Sequence, residues 1–482
     1  MQLKKILFLN GTLKQTFLKN TFWLSAGELL AKLFKFFLIP VSARLLGPEK
    51  FGIFGYSIAL VGAFFIFSDF GLGSLFTREY RKENAEKEAL ATTIIVIKSV
   101  LLFGALVVAS IAYVTLKDPA VQNIYFLVLG TVFLDEIKKI GFLLAMSEQK
   151  TEYRCLALVT ESGITTLIGL YVLYTMPTLL GFTWAYFWGN AASCLVTFLL
   201  VKKYIPKQMI IKWDQIKTML KVGFPFLLTT GLTLFMITSD TLLVKWMLGA
   251  TSVGYYQAAS RLIQIGLILA YLINVAIYPI LSGLHQQKKQ LSIVLKQGLG
   301  ALLMFGIPIF IAGEVLSTQV FLKVFGAAYV PAIVVFQILL FTLLIDSVLF
   351  VINNTLLVLN QEKKNLKISA LALVINGILN ILFIPIIGIK GAALATVIAK
   401  TIDLILTWIL CKKIFSGLSF FPVYSVIHLV SGIAMGIQLY GCYYAGIDLY
   451  LNCAIGILTY VTCLILFREP QVWRLFALIK KL

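Results

Sequence analysis

Charge is scarce in this chain, acid scarcer and histidine almost missing. Only 13% of its 482 residues are charged, 21 are acidic and two are histidine, against 60% hydrophobic side chains. Soluble domains carry about 25% charge, so a chain of mean hydropathy +0.94 leaves a soluble domain nowhere to sit. Two histidines argue against Cys/His zinc chemistry. The six cysteines (Cys155, Cys194, Cys411, Cys442, Cys453, Cys463) form no CxxC pair and read as packing residues in apolar runs, with Cys442 and Cys453 flanking one turn where a bridge is conceivable. HExxH, Walker A and nucleophile-elbow motifs are missing, and with them goes the case for an enzyme. No catalytic residue and no metal ligand is assigned. Runs of Lys or Arg never exceed two residues and there is no basic tail, so the net charge of +20 does not point to nucleic acid.

What the chain does have is apolar length. Stretches of about 20 residues, each able to cross a hydrocarbon core of ~30 Å as a helix, recur along nearly all of it. With Pro, Gly and charge clusters as punctuation, fourteen spans begin near residues 20, 51, 89, 121, 154, 178, 222, 252, 291, 329, 365, 390, 421 and 447. The amino-terminal run ILFL is broken by Asn10 and Gly11, too short for a signal segment, and reads as uncleaved.

Cations sort by loop. The amino terminus, the even loops and the carboxyl terminus together hold 28 Lys and Arg, whereas the odd loops hold six: Arg44, Lys50, Lys117, Lys245, Lys323 and Lys390. Loops retained in the cytoplasm carry the excess, so both termini are assigned to the cytoplasm. The carboxyl-terminal REPQVWRLFALIKKL reads as a short helix at the inner interface, drawn with the other inner cations to anionic membrane lipids.

The chain also repeats itself. ARLLGPEKFGIF (43–54) is echoed by VKWMLGATSVGYY (244–256), with Leu46, Gly47, Gly52 and Phe54 against Leu248, Gly249, Gly254 and Tyr256. LLAMSEQK (143–150) is matched to LLVLNQEK (356–363), LLGFTWAYF (179–187) to IIGIKGAAL (386–394), and LLVKKYI (199–205) to ILCKKIF (409–415). Each pairs span n with span n + 6, and an even number makes the repeats parallel. The expected fold is an all-α polytopic membrane protein with two parallel six-helix bundles, residues 1–210 and 211–416, followed by two further helices and a tail over 417–482.

LIPVSARLLGPEKFGIFGYSIALVGAFFIFSDFGLGSLFTREYR, GFPFLLTTGLTLFMITSDTLLVKWMLGATSVGYYQAASRL and IPIIGIKGAALATVIAK together resemble the polysaccharide biosynthesis proteins of the multidrug/oligosaccharidyl-lipid/polysaccharide exporter superfamily, above all the repeat-unit (Wzx-type) flippases. The resemblance implies a V-shaped pair of six-helix lobes like that of multidrug extruders. It also implies transfer of an undecaprenyl-diphosphate-linked oligosaccharide across a bacterial cytoplasmic membrane for surface polysaccharide, with a polysaccharide polymerase as a partner. A lipid II flippase and a multidrug cation extruder are the nearer alternatives; a membrane polymerase or glycosyltransferase is the one from another class.

Ionisable residues within spans cost roughly 2.5–3.5 kcal/mol each and usually face protein or water, which makes them site candidates. Seven basic residues remain after the loops: Lys32, Lys35, Lys98, Lys138, Lys139, Arg261 and Lys400. Glu28, Lys32 and Lys35 share one face of span 1, in the order that favours a Glu28–Lys32 pair. Gln257, Arg261 and Gln264 share a face of span 8, and Thr396, Lys400, Asp403 and Thr407 one of span 12. On span 4, Asp135 and Lys139 are placed to pair. The substrate-binding assignment is a cationic cavity of Lys32, Lys35, Lys139, Arg261 and Lys400 with Glu28, Gln257 and Gln264, in which Arg grips a diphosphate bidentately and Lys acts as a point charge. Asp69, Asp135, Asp240 and Asp403 are assigned to gating or coupling. Glu161, Glu314 and Asp346 are weaker candidates for the site of a coupling ion, H+ or Na+; no other cofactor is expected.

Overall fold

The structure, a computed structural model, describes residues 13–69, 71–82, 86–284, 287–415, 425–470 and 473. Most of REPQVWRLFALIKKL, including Arg474, Phe476, Ile479, Lys480 and Lys481, lies outside them. Among the described residues there is no strand. We number the helices α1 (Leu13–Asp69), α2 (Leu72–Tyr80), α3 (Lys87–Ala112), α4 (Pro119–Ser147), α5 (Thr151–Thr175), α6 (Leu179–Val201), α7 (Trp213–Leu248), α8 (Ala250–Gly283), α9 (Lys288–Val324), α10 (Ala332–Val358), α11 (Glu362–Ile387), α12 (Ile389–Ile414), α13 (Ser425–Tyr444) and α14 (Leu449–Leu466).

Ten of these are long and apolar enough to cross a membrane by length and composition. The 57-residue α1 is two runs broken at Gly47, whose φ of 76° only glycine adopts readily. Those two runs, with α4 at 29 residues and α7 at 36, complete fourteen spans in the expected order. α2 is a short amphipathic helix between spans.

Lipid offers no hydrogen bonds, so helices satisfy their own backbone and tuck in small polar side chains. Ser57, Thr131, Thr197 and Thr355 each donate to the carbonyl four residues back. Large apolar side chains point outward, Val114, Ile386 and Trp246 among the most exposed.

The chain divides into two compact units, Met1–Gly254 and Tyr255–Leu482. In the first, α5 packs on both α1 and α6, and α4 on α6. Val61, Phe65, Leu102, Ile124, Tyr125 and Val128 form its central core, where the Tyr125 hydroxyl donates to the Ala109 carbonyl at 2.6 Å. In the second, α9 packs on α10, α10 on α12 and α11 on α12, while the hairpin of α13 and α14 lies against α9. Cys442 and Cys453 are both free thiols.

Loops of like parity meet. Lys212 pairs with Glu86, Arg81 donates to the Met146 carbonyl at 2.8 Å, and Lys19 lies 3.3 Å from Glu152; all belong to the amino terminus or to even loops. Lys245 reaches Asp118 at 2.5 Å, and Lys323 reaches Asp448 at 2.6 Å, between odd loops. Within each unit, the alternation of spans inferred from the cations is therefore the alternation the helices follow.

The repeat is visible in backbone geometry, with two corrections of register. Gly47 (φ 76°, ψ 168°) and Gly249 (φ 86°, ψ 179°) break their helices in the same conformation, 202 residues apart. The end of α4, however, corresponds to the end of α10 at an offset of 211, not 213. Glu148 and Leu359 are the matching caps, Gln149 (φ 57°) and Asn360 (φ 55°) the left-handed residues that follow, and Lys150 and Gln361 return their amides to Ala145 and Leu356. This is the Schellman closure of a helix end; hydrogen bonding sets its register, not the letters of SEQK and NQEK. Likewise Gly181 sits in the first turn of α6, whereas Gly388 (φ 64°) is the break before α12. Helix starts 179 and 389 differ by 210, the offset of the later KK echo, rather than 207.

Candidate functional site

In the first unit, the charges of three spans converge. Gly141 of α4 lies against Thr197, and Gly189 of α6 against Thr165 and the Glu161 carbonyl, so that a Cβ at either glycine would collide. Close helix approach of this kind is what small residues permit in membranes. It brings Asn190, next to Gly189, within reach of α4. There the Lys138 ammonium, 1% exposed, pairs with Glu161, lies 2.8 Å from Asp135 and donates to Asn190 Oδ1 at 3.2 Å. Glu161 also receives Lys35 of α1 at 3.2 Å. Lys139 bridges Asp135 at 3.0 Å and Glu136 at 2.6 Å, and Glu136 in turn accepts from the Ser68 hydroxyl at 3.1 Å. Three ammonium groups and three carboxylates thus balance.

Around the expected cationic cavity the charges are thus paired with acids. Glu28 accepts from Arg154 of α5 at 2.8 Å, so its ion pair runs between helices instead of along the helix to Lys32. Lys32 is half-buried on the same helix. Asp135 and Lys139 are paired, as their spacing anticipates. Exposure within the network is uneven: the side chains of Lys35 and Lys139 are 40% and 46% exposed, while Glu161 and Glu136 behind them are 11% and 10% exposed. Asp135 is 35% exposed and Lys138 1%, so the network presents two ammonium groups and one carboxylate and hides two carboxylates and one ammonium group. Asp240 of α7 is buried. The side chain of Asp69, the last residue of α1, lies outside the described residues.

The second unit distributes its polar groups differently. Lys400 pairs with Asp346 of α10 rather than with Asp403 on its own helix. Asp403 instead accepts from Thr407 at 3.2 Å and from Ser369 at 3.4 Å. On α8, Arg261 donates to Gln264 at 3.2 Å, one turn along the expected face, and Gln257 precedes it by a turn. A neutral chain runs from the Tyr256 hydroxyl to Thr396 (3.3 Å), Asn376 (3.5 Å) and Asn380 (3.1 Å). Asn354 donates to Asn274 at 2.8 Å. Among the described residues no three His, Cys, Asp or Glu side chains gather as metal ligands.

Sequence reasoning undervalued Glu136, Lys138, Glu161, Asn190, Asn376 and Asn380. A signal existed for some of them. Lys138 follows Asp135 by three residues, and Asn376 precedes Asn380 by four, both intrahelical contact spacings. For Glu161 and Asn190 the partner is on another helix, where spacing says nothing.

The two echoed turns also touch. A Cβ at Gly52 would overlap the Ala250 carbonyl, and one at Gly254 would overlap the Pro48 carbonyl. Pro48 and Ala250 are themselves 202 residues apart, as are Gly52 and Gly254, so the contact is reciprocal. Lys245 beside it lies between Asp118 and the face of Tyr56, 5.8 Å from the ring centre.

Fourteen spans, paired turns and buried ion pairs define a multi-pass membrane protein with the fold of the MOP-superfamily transporters. Two solved structures carry that statement. The lipid II flippase MurJ in an inward closed conformation superposes with a TM-score of 0.76 at 18% identity, over 92% of this chain and 99% of that one. A MATE-family multidrug resistance transporter of the MOP superfamily, inward-facing, gives 0.62 at 15% identity over 86% and 97%.

The chain belongs to the polysaccharide biosynthesis protein family, whose model matches residues 17–285, more than half of its length. Two curated relatives are similar to it. The probable low-salt glycan biosynthesis flippase Agl15 of Haloferax volcanii is 25% identical over 237 residues, 48% of this chain and 50% of that protein. The capsular polysaccharide biosynthesis protein CapF of Staphylococcus aureus is 23% identical over 414 residues, 82% of this chain and 100% of CapF. The chain thus spans half the length of the first and all of the second.

Proposed function

We propose that this protein is a flippase that carries an undecaprenyl-diphosphate-linked oligosaccharide from the inner to the outer leaflet of a bacterial cytoplasmic membrane for surface polysaccharide assembly. It is a transporter, not an enzyme. The observation that carries the substrate assignment is the asymmetry of the ionic network, with Lys35 and Lys139 accessible and Glu161 and Glu136 withdrawn behind them. Such a surface attracts a diphosphate and repels the cations that a multidrug extruder would take. Arg261 adds a planar donor suited to phosphate oxygens. Membership of a polysaccharide biosynthesis family points the same way, and the cation bias of even loops supports a cytoplasmic side for both termini.

Transport proceeds by alternating access. The diphosphate and sugars meet the accessible cations while the polyprenyl tail stays in lipid, and the headgroup is released on the far side. Asp135, Asp240, Asp69 and Asp403 bias the exchange. A gradient of H+ or Na+ drives it. Of the three acids considered for the ion, Glu161 and Asp346 are held by ammonium groups, whereas Glu314 keeps a buried Oε1 with no hydrogen-bond partner. An acid without an ammonium can exchange a cation without breaking a pair, which favours Glu314. A polymerase receives the product on the outer side.

The test is reconstitution of the protein in vesicles with a fluorescent lipid-linked oligosaccharide on one leaflet. Wild type exposes the headgroup to a membrane-impermeant quencher, and Lys35→Glu/Lys139→Glu slows that exposure at least tenfold. Unchanged transport by the double variant, or faster transport of an organic cation than of the glycolipid, refutes the assignment. Glu314→Gln removes the dependence on the H+ or Na+ gradient and leaves a slow, gradient-independent rate.

A further inference from the structure

The first unit has a second concave feature, which shares Lys138 with the ionic network but is otherwise apolar. α3, α4 and α6 enclose a groove of about 690 Å³, floored by Ile137 and Gly141 and walled by Ser99, Phe103, Cys194 and Phe198. Two of the polar residues that reach it, Lys138 and Thr197, spend their hydrogen bonds elsewhere, on Glu161 and Asn190 and on the Ser193 carbonyl. What remains is an apolar slot within the membrane-spanning region.

Its length matters. Along α4 the lining runs from Phe133 to Leu144, eleven steps of 1.5 Å or about 16 Å. That is half of a hydrocarbon core of ~30 Å, the depth of one leaflet. The lining extends past the end of α6 to Ile205 and Met209. The same end carries exposed Lys202, Lys203 and Lys207, and the Lys203 ammonium lies over the rings of Tyr153 and Tyr204 at 5.8 and 4.8 Å. A slot one leaflet deep with cations at its mouth has the shape and polarity of one lipid molecule: an acyl chain inside and a phosphate at the rim.

We propose that the groove between α3, α4 and α6 binds an anionic phospholipid of the leaflet on the Lys202 side, one acyl chain lying over Gly141 and the phosphate held by Lys202 and Lys207. The bound chain covers the outer face of the helix that carries Asp135, Lys138 and Lys139, and so completes the packing of the ionic network from the lipid side. The lipid is a resident ligand, distinct from the transported glycolipid.

Native mass spectrometry of the full-length protein in detergent, titrated with phosphatidylglycerol or phosphatidylcholine, tests this. Wild type retains one phosphatidylglycerol under activation that strips phosphatidylcholine. Lys202→Gln/Lys207→Gln weakens phosphatidylglycerol on the order of tenfold, to the level of phosphatidylcholine. Ser99→Phe or Ala191→Phe, which fill the groove, lose both lipids. Wild-type retention by the groove-filled variants overturns the site, and equal affinity of wild type for the two lipids overturns its charge preference. Displacement of phosphatidylglycerol by equimolar undecaprenyl phosphate also overturns the proposal, because the groove is then a seat for the carrier lipid. The Lys variants lie at exposed positions, so the test stands even where a Phe variant fails to insert.

Discussion

The first unit ties six of its intramembrane charges into one branched network, whereas the second holds Lys400 and Asp346 as a separate pair and surrounds its other charges with amides and hydroxyls. Lys138 has two carboxylates and an amide around it and is almost fully buried. Lys400 has one carboxylate and is 23% exposed. Removing one ion from a closed network strands charges on several helices at once. Removing one from an isolated pair strands a single charge that can still find solvent or a neighbour. Two units that share turn geometry therefore differ in how much of their stability rests on a single side chain.

The largest expected effect follows directly. Lys138→Met leaves Glu161 and Asp135 short of their shared ammonium and destabilises the first unit by roughly 3–5 kcal/mol. Lys400→Met costs about 1–3 kcal/mol. Thermal unfolding of the two variants in detergent orders them, and an equal loss would mean that the units do not differ in this respect.

Next come the glycines at which the echoed turns meet. Gly52→Ala and Gly254→Ala each drive a methyl into a backbone carbonyl, a clash that flexible side chains are not there to absorb, and cost about 1–3 kcal/mol. Gly62→Ala, on the same helix as Gly52 with open space around it, stays within ~0.5 kcal/mol. The two turn variants should match each other; a large difference between them would mean that the reciprocal contact is not shared equally.

A smaller effect on the fold, but a marked one on activity, is expected at the accessible cations. Lys35→Glu or Lys139→Glu alone lowers glycolipid transport on the order of tenfold while membrane insertion, read by surface labelling of the tagged protein, is unchanged. Lys35→Arg retains most transport, since it keeps the charge and the reach to Glu161.

The smallest effect lies outside the membrane and again compares the units. Asp118 and Asp448 cap the starts of α4 and α14 and face Lys245 and Lys323. Burial raises the Asp118 carboxyl, but the Lys245 ammonium and the Ala120 and Val121 amides outweigh it and hold it below the usual carboxylate range. Lys323 and the Tyr450 amide act likewise on Asp448. A folded-state value below the unfolded one contributes stability that is present above about pH 4 and fades as pH falls through the folded value. Asp118→Asn should remove under ~1 kcal/mol of that acid sensitivity, because the pair is part-exposed and screened. Asp448→Asn, at a more exposed side chain, should change it less.

Much of this was legible without coordinates, and the reason is specific. Lipid forces every span to be long, apolar and helical, so fourteen runs could be counted from hydropathy alone, and each has its helix. The Leu-Gly echo was equally legible, because Gly47 and Gly249 sit where only glycine takes the required φ. The SEQK and NQEK echo was legible but misregistered by two residues, since chance similarity of polar letters competed with the hydrogen bonds that close the helix end. Asp135 and Lys139 were read as a pair because one helix holds both. Glu28 was expected to pair with Lys32 on its own helix and instead pairs with Arg154 of a neighbour, while Lys400, assigned to the cavity, pairs with Asp346.

The sequence by itself determined class, span count, the alternation of loops and the existence of a repeat, because these depend on periodicities within one helix and on the cost of charge in lipid. Only the tertiary structure decided which carboxylate meets which ammonium, that Glu161 and Glu136 are less exposed than Lys35 and Lys139, and that a groove runs between α3, α4 and α6. Those are contacts between helices far apart in the chain, fixed by how closely Gly141 and Gly189 let α4, α5 and α6 approach.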